Sequence, residues 1–265
     1  MYCYAEKMAR AFSHGRASWG PGGLRWMRMG EACSELLKLE QRAVKQGRRL
    51  RVFINSMSDT FEDRRDLDGA RQVIFSIAFC VPHLDLLLLT KRPEQVEALM
   101  PKGFKLNRSK ELLYWPPNLW LGFSAENQEM FEERWHVVGN LARQFNIPCT
   151  FCSAEPLLGP LDLTTAQFIS GGEDEPDTRP LDWLILGGES GQSARLCELD
   201  WIRVAVKQSR DFEIPVFVKQ LGAVWSRFNK AEDSHGGDMP EWPEDLRIRE
   251  LPVSSMLNGV QPCPR

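Results

Sequence analysis

The chain has 265 residues, 43% of them apolar, with a formal net charge of −3 and a pI of about 5.9. That is enough apolar material for one large α/β domain or two small ones, and no apolar run reaches the length of a membrane span. The charge balance gives no electrostatic case for general nucleic-acid binding, although a local basic cleft stays open.

No apolar leader opens the chain, so the expected compartment is the cytoplasm, with no membrane partner. The cysteines Cys3, Cys33, Cys80, Cys149, Cys152, Cys197 and Cys263 are scattered and odd in number, which fits reduced thiols rather than a disulfide framework. Residues 1–30 are irregular and rich in Gly, Arg, Met and Trp. Glu31–Gln46 follows as an amphipathic helix, with Leu36, Leu37, Leu39 and Val44 on its apolar face and Gly47 as its stop.

Six short apolar runs then begin at residues 51, 84, 118, 149, 182 and 215. Their near-constant spacing suits a strand, a helix and two loops, and continuous apolar strands alternating with helices imply a parallel sheet. Between them, Asp66 is placed to cap a helix running to about Cys80, and Pro93 to open the helix Glu94–Met100. Pro101–Pro117 reads as a longer loop. Glu126–Gln144 is the clearest helix, with Phe131, Trp135, Val138 and Leu141 at helical spacing. After the fourth strand only a short helix near Thr164–Ile169 fits, followed by the acidic loop 171–178. Asp200 is placed to cap the helix Trp201–Arg210. The fold expected is a (β/α) barrel, TIM-like or partial, over residues 1–225. Residues 226–265 form a C-terminal extension that packs on the barrel or trails from it.

Ligands of such sheets bind at the carboxyl ends of the strands, and here each strand ends in a polar cluster. The clusters are Asn55-Ser-Met-Ser-Asp59, Thr90-Lys-Arg-Pro93, Ser124-Ala-Glu-Asn127, Ser153-Ala-Glu-Pro156, Gly187-Gly-Glu-Ser-Gly191 and Lys219-Gln-Leu-Gly222. Converging on one bowl, they would supply Glu126, Glu155 and Glu189 with Lys91, Arg92 and Lys219 as candidate catalytic residues. Any one of these has a plainer reading. Ser124 and Ser153 would serve as helix caps, and Lys219 would pair with a glutamate rather than act as a Schiff-base nucleophile. Gly187 and Gly188 would let backbone N–H groups approach an anion, or simply make a tight turn. His14, His83, His136 and His235 all lie away from strand ends, against a His-ligated metal centre or a Ser-His-Asp triad. Cys149 and Cys152 lie three apart on a strand, face opposite sides and read as core thiols.

The N-terminal run Met1-Tyr-Cys-Tyr-Ala-Glu-Lys-Met8 adds a resemblance. An aromatic residue directly before a cysteine that enters a helix is the tail of a three-cysteine iron–sulfur loop. With Asn55–Asp59, Leu89-Thr-Lys-Arg-Pro93, Ser153-Ala-Glu-Pro-Leu-Leu-Gly159, Gly187–Gly191, Val218-Lys-Gln220, Gly236-Gly-Asp238 and Glu241-Trp-Pro-Glu-Asp-Leu246, the chain resembles the phage gene product thirty-seven/sixty-eight family, a domain of unknown function. That family is similar to radical SAM enzymes in its cysteine loop and barrel.

The resemblance implies a [4Fe–4S] cluster and S-adenosylmethionine in the intact family, with Cys3 as the metal ligand and Tyr2 beside it. By position it also implies that Asn55, Ser56, Ser58 and Asp59 contact the methionine amino group. The two other cysteines and a first strand are expected upstream of Met1, so the chain as written is expected to hold no three-cysteine cluster. Three functions remain open: a radical SAM-like enzyme acting on a nucleic acid, nucleotide or protein; a cluster-free barrel enzyme using Glu155, Glu189 and Lys219 for acid/base or Schiff-base chemistry; and a non-catalytic binding protein or degenerate copy with a phage or bacterial partner.

Overall fold

A computed structural model describes residues 20, 23, 27–56, 58–104, 115–166 and 180–252. Tyr2, Cys3, Met57, the acidic loop 171–178 and Cys263 lie outside the described residues. The elements in chain order are α1 (Met29–Gln46), β1 (Leu50–Ile54), α2 (Asp68–Cys80), β2 (Leu84–Thr90), α3 (Val96–Leu99), β3 (Leu119–Ser124), α4 (Gln128–Gln144), β4 (Thr150–Ala154), β5 (Trp183–Gly187), α5 (Leu199–Asp211), β6 (Val216–Gln220) and α6 (Ala223–Asn229). The six strands form one all-parallel sheet whose spatial order is the chain order, β1-β2-β3-β4-β5-β6. The sheet curls into a half-barrel with helices between strands.

Three helix starts differ from the sequence expectation. Asp66 falls inside a 3-10 turn, Arg65–Leu67, and pairs with Arg64 instead of capping α2. Asp200 lies in the first turn of α5, two residues after the cap residue Glu198. Pro93 opens a 3-10 turn before the four-residue α3. Between β4 and β5, only the 3-10 turn Thr164–Ala166 is described. The clearest helix does start on a side-chain cap: Asn127 Oδ1 accepts from the Met130 N–H at 3.0 Å, satisfying a donor that the first turn leaves open. Gly47 ends α1 in the left-handed conformation, φ 59°, which costs glycine little.

Strand period splits the interior into two layers. Leu84, Leu86 and Leu88 of β2, Leu119, Leu121 and Phe123 of β3, Cys152 and Ala154 of β4, Leu184 and Leu186 of β5, and Val216 and Val218 of β6 face the helices in the main core. The alternate residues Leu87, Trp120, Phe151, Trp183 and Ile185, with Cys149, form a second cluster on the concave face. Cys149 and Cys152 therefore belong to different layers, both buried. Aromatic edges lock the concave layer. Trp183 meets Trp120 at 6.2 Å and 87° and Phe217 at 6.0 Å and 83°, and Phe53 meets Phe151 at 5.8 Å and 86°. Gly122 makes room for this layer, since a Cβ there would lie 2.5 Å from Phe151 Cε1.

The chain after β6 returns to its free edge. Val218 N–H donates to the Ile248 carbonyl and Glu250 N–H to the Val216 carbonyl, an antiparallel bridge centred on Phe217 and Arg249. This covers a row of strand groups that would otherwise stay open. The path continues across the amino end of the concave face. Trp183 Nε1–H donates to the Glu250 carbonyl at 3.0 Å, and Arg51 Nη2 of β1, at the opposite edge, donates to the Pro252 carbonyl at 2.9 Å.

Burial sets the thiol chemistry. Desolvation, with Glu126 nearby, pushes the Cys152 thiol well above its usual range, and desolvation beside Glu198 pushes Cys197 up to about 12. Since the thiolate is the nucleophile, iodoacetamide at about pH 8 should label exposed Cys80 in the native protein and spare Cys152 and Cys197 until denaturant is added. Native labelling of Cys152, read by peptide mass spectrometry, would contradict this packing.

Candidate functional site

The inward alternation that places Trp120, Phe151 and Trp183 on the concave face continues past the strand ends. It carries Lys91, Glu126, Glu155, Glu189 and Lys219 to the same side, at the carboxyl mouth of the half-barrel. Each carboxylate there meets a cation. Glu126 accepts from Lys91 Nζ and, at 3.2 Å, from Arg134 Nη1. Glu189 takes both Arg195 Nε and Nη2, at 2.8 and 2.9 Å, and the Arg195 backbone N–H at 2.8 Å. Glu155 Oε2 accepts from Lys219 Nζ at 2.8 Å. Lys219 is thus observed in the salt bridge that the plainer sequence reading assigned to it.

The Glu155–Lys219 pair depends on two local departures from regular sheet. β5 lies between β4 and β6, so Glu155 must reach across β5 to touch Lys219. Gly187 of β5 permits this, because a Cβ there would lie 2.6 Å from Glu155 Oε1. The β5–β6 register also slips: Leu186 pairs with Val218, but Gly187 pairs with Gln220, leaving Lys219 as an extra residue in a bulge. Bulges re-aim a side chain and concentrate beside active sites. Glu155 Oε1 is buried with no hydrogen-bond partner, while the Lys219 side chain is 54% exposed. A buried acceptor left open is costly and marks where a donor is missing.

Gly188 and Gly222 fix the neighbouring wall. A Cβ on Gly188 would lie 2.7 Å from the Leu221 carbonyl carbon and 2.8 Å from Gly222 Cα, so the β5 and β6 exits touch backbone to backbone. Gln220 Nε2 donates to the Gly188 carbonyl at 2.7 Å, and Gly188 N–H to the Gln220 carbonyl at 3.0 Å. Both backbone groups of Gly188 are thus bonded to Gln220 of β6.

The first two strand ends are tied to each other. Asp59 accepts from Phe61 N–H, Thr90 Oγ1–H and Lys91 N–H, and Arg92 Nη1 lies 3.7 Å from it. Asn55 adopts φ 57° and donates from Nδ2 to Thr60 Oγ1, while Ser56 and exposed Ser58 sit in the turn that Ser58 N–H closes onto the Asn55 carbonyl. Asp59 is thus engaged in joining β1 to β2. Ser124 and Ser153 are buried within their strands, and the α4 cap is Asn127 instead.

Two participants were missing from the sequence reading. Arg134 lies two turns inside α4 and returns to the Ser124 carbonyl and to Glu126; Arg195 lies in a loop. His235 was placed away from the strand ends, yet its neighbour Gly236 accepts from Leu221 N–H at 2.8 Å, so its loop flanks the carboxyl end of β6. Local spacing does not show a contact made by a chain that returns after a helix.

With this geometry in hand, the comparisons narrow the identity to a family. The chain belongs to the family described as a protein of unknown function (DUF5131), matched over residues 1–242. No curated protein and no solved structure matches it. The DUF5131 match spans all six strands and the carboxyl mouth. Among the described residues, no helix is long and apolar enough to cross a membrane, and no group of three His, Cys, Asp or Glu is placed to hold a metal. The described cysteines do not suit an iron–sulfur cluster at the mouth: Cys149 is at the amino end of β4, Cys152 faces the helices, and Cys33, Cys80 and Cys197 lie outside the strands.

Electrostatics sharpen the role of Glu126. Burial alone would raise its pKa, but the Lys91 hydrogen bond and the charges of Lys91 and Arg134 outweigh that and hold it below the usual glutamate range. A folded-state pKa below the unfolded value, about 4.3, adds stability above that pH, and the gain is lost as pH falls through the folded value. Glu126→Gln should therefore flatten the decline in urea stability between neutral pH and about pH 3. A decline as steep as wild type would mean that Glu126 is not held ionised.

Proposed function

We propose that this protein is a radical SAM-like enzyme scaffold whose reaction site is the carboxyl mouth of the half-barrel, with Glu155 and Lys219 receiving the polar group of a small ligand. The observation that carries this reading is the Glu155–Lys219 pair: Lys219 raised on a bulge, Glu155 reaching it across Gly187, and one Glu155 oxygen buried without a donor. A salt bridge between an ammonium and a carboxylate is matched in charge by a ligand carrying both, such as the α-amino acid end of S-adenosylmethionine, which can pair its ammonium with Glu155 and its carboxylate with Lys219. Lys91 and Arg134 hold Glu126 ionised, and Arg195 holds Glu189 in place. The all-parallel order and the resemblance around Tyr2 and Cys3 support the radical SAM assignment. Because the described cysteines do not suit a cluster, no step of this site is routed through one.

The test has two arms. Calorimetric titration with S-adenosylmethionine and S-adenosylhomocysteine should show binding that weakens about 10-fold to 100-fold in Lys219→Met, the loss expected for one hydrogen bond to a charged group. Anaerobic reconstitution with iron and sulfide should load no cluster on the chain as written, whereas iron loading that is lost in Cys3→Ala would show that Cys3 anchors one. Binding without iron favours a cluster-free enzyme using the same pair. No binding of either compound defeats the assignment of the mouth as their site.

A further inference from the structure

The amino end of the concave face carries a second cluster of charge, remote from the mouth and independent of what the mouth binds. Asp85 of β2 has no exposed side-chain surface. Arg49 grips its Oδ1 with Nε at 2.7 Å and Nη2 at 2.5 Å, and also donates from Nη1 to the Pro82 carbonyl and from Nη2 to the Leu84 carbonyl. Arg51, two residues along on the same face, lies within 3.8 Å of Asp85 Oδ2 but does not bond it. Its guanidinium instead covers the Trp120 ring at 5.3 Å and gives Nη2 to the Pro252 carbonyl. Arg51 Nε is left buried with no hydrogen-bond partner.

Arg51 is therefore divided between two acceptors. One is a neutral carbonyl on the returning chain, and the other is a buried carboxylate just beyond hydrogen-bond reach. A short movement of the guanidinium exchanges one for the other, and satisfying the open Nε favours the carboxylate.

We propose that residues 249–252 are a releasable strap across the amino end of the half-barrel, and that Arg51 is its latch, passing from the Pro252 carbonyl when the strap is docked to Asp85 when it is released. The other ties of residues 250–252 centre on Glu250: Trp183 Nε1–H donates to its carbonyl, its N–H donates to the Val216 carbonyl, and its carboxylate accepts from Val216 N–H at 3.1 Å. Arg249 stays behind, stacked between Phe217 and Trp242 at 5.4 and 5.3 Å, so release pivots at Arg249 and uncovers Trp183. Arg49 sets the balance without touching the strap. While it neutralises Asp85, Arg51 is free to hold Pro252; without it, Asp85 draws Arg51 away.

Hydrogen exchange on the full chain tests this, read on peptides covering 247–252. Arg51→Met should speed exchange of the Glu250 amide about tenfold or more. Arg49→Met should do the same, although Arg49 makes no strap contact, while the β3 amides keep their wild-type protection. A strap that is merely fixed predicts an effect in Arg51→Met alone. The latch is overturned if Arg49→Met leaves the strap within twofold of wild type, or speeds it only in step with β3. Arg49→Met carries the test even if Arg51→Met does not fold.

Discussion

Gly188→Ala is expected to destabilise the fold by about 3 kcal/mol or more, on the order of a 10 °C fall in Tm for a chain of this size. The new methyl would fall 2.7 Å from the Leu221 carbonyl carbon and 2.8 Å from Gly222 Cα. Both are backbone atoms, so no rotamer change relieves the clash. Relief requires the exits of β5 and β6 to part, and with them the Gln220 and Gly188 hydrogen bonds. Gly191→Ala is the control for glycine loss as such. It has φ 98° but nothing within 4 Å, so it should cost only the backbone term, about 1–2 kcal/mol. Equal losses in the two variants, by thermal unfolding, would mean that β5 and β6 do not touch as described.

Asp85→Ala should cost about 3–5 kcal/mol, because it strands the Arg49 and Arg51 guanidiniums beside a buried void. The magnitude rests on burial rather than on the number of ion pairs. The exposed pair of Lys207 with Asp211 has similar geometry, at 2.7 Å, yet solvent screening should hold Lys207→Ala within about 0.5 kcal/mol of wild type. Urea unfolding of the two variants separates the cases. A loss at Asp85 as small as that at Lys207 would show that the amino-end cluster is open to water.

The strands were legible because their signal is local. Uninterrupted runs such as Leu86–Leu89 stay apolar on both sides because helices cover one face and the aromatic layer covers the other. Period two then carried Glu126, Glu155, Glu189 and Lys219 to one side. Their partners were not legible. Arg134 reaches Glu126 only because α4 folds back over β3, and Arg195 reaches Glu189 around a loop. The bulge at Lys219 leaves no mark in composition. Asp85 did carry a signal, a charge inside an otherwise apolar strand, which needs a partner when buried. The aspartates expected to cap α2 and α5 had competing arginines nearby, Arg64 and Arg203, and those ion pairs are what the structure shows.

The agreement between spatial and chain order in the sheet has a consequence for biosynthesis. Each strand pairs with the one made just before it, so every new βα unit leaving the ribosome finds its template already in place. The sheet is expected to assemble vectorially, without waiting for a distant partner. The exception is the segment at 248–252, which contacts β6, β5 and β1 and emerges after all of them. Ribosome-bound chains halted before that segment emerges should therefore resist protease along β2–β4 but remain open at Trp183, making closure of the amino end the last event of folding.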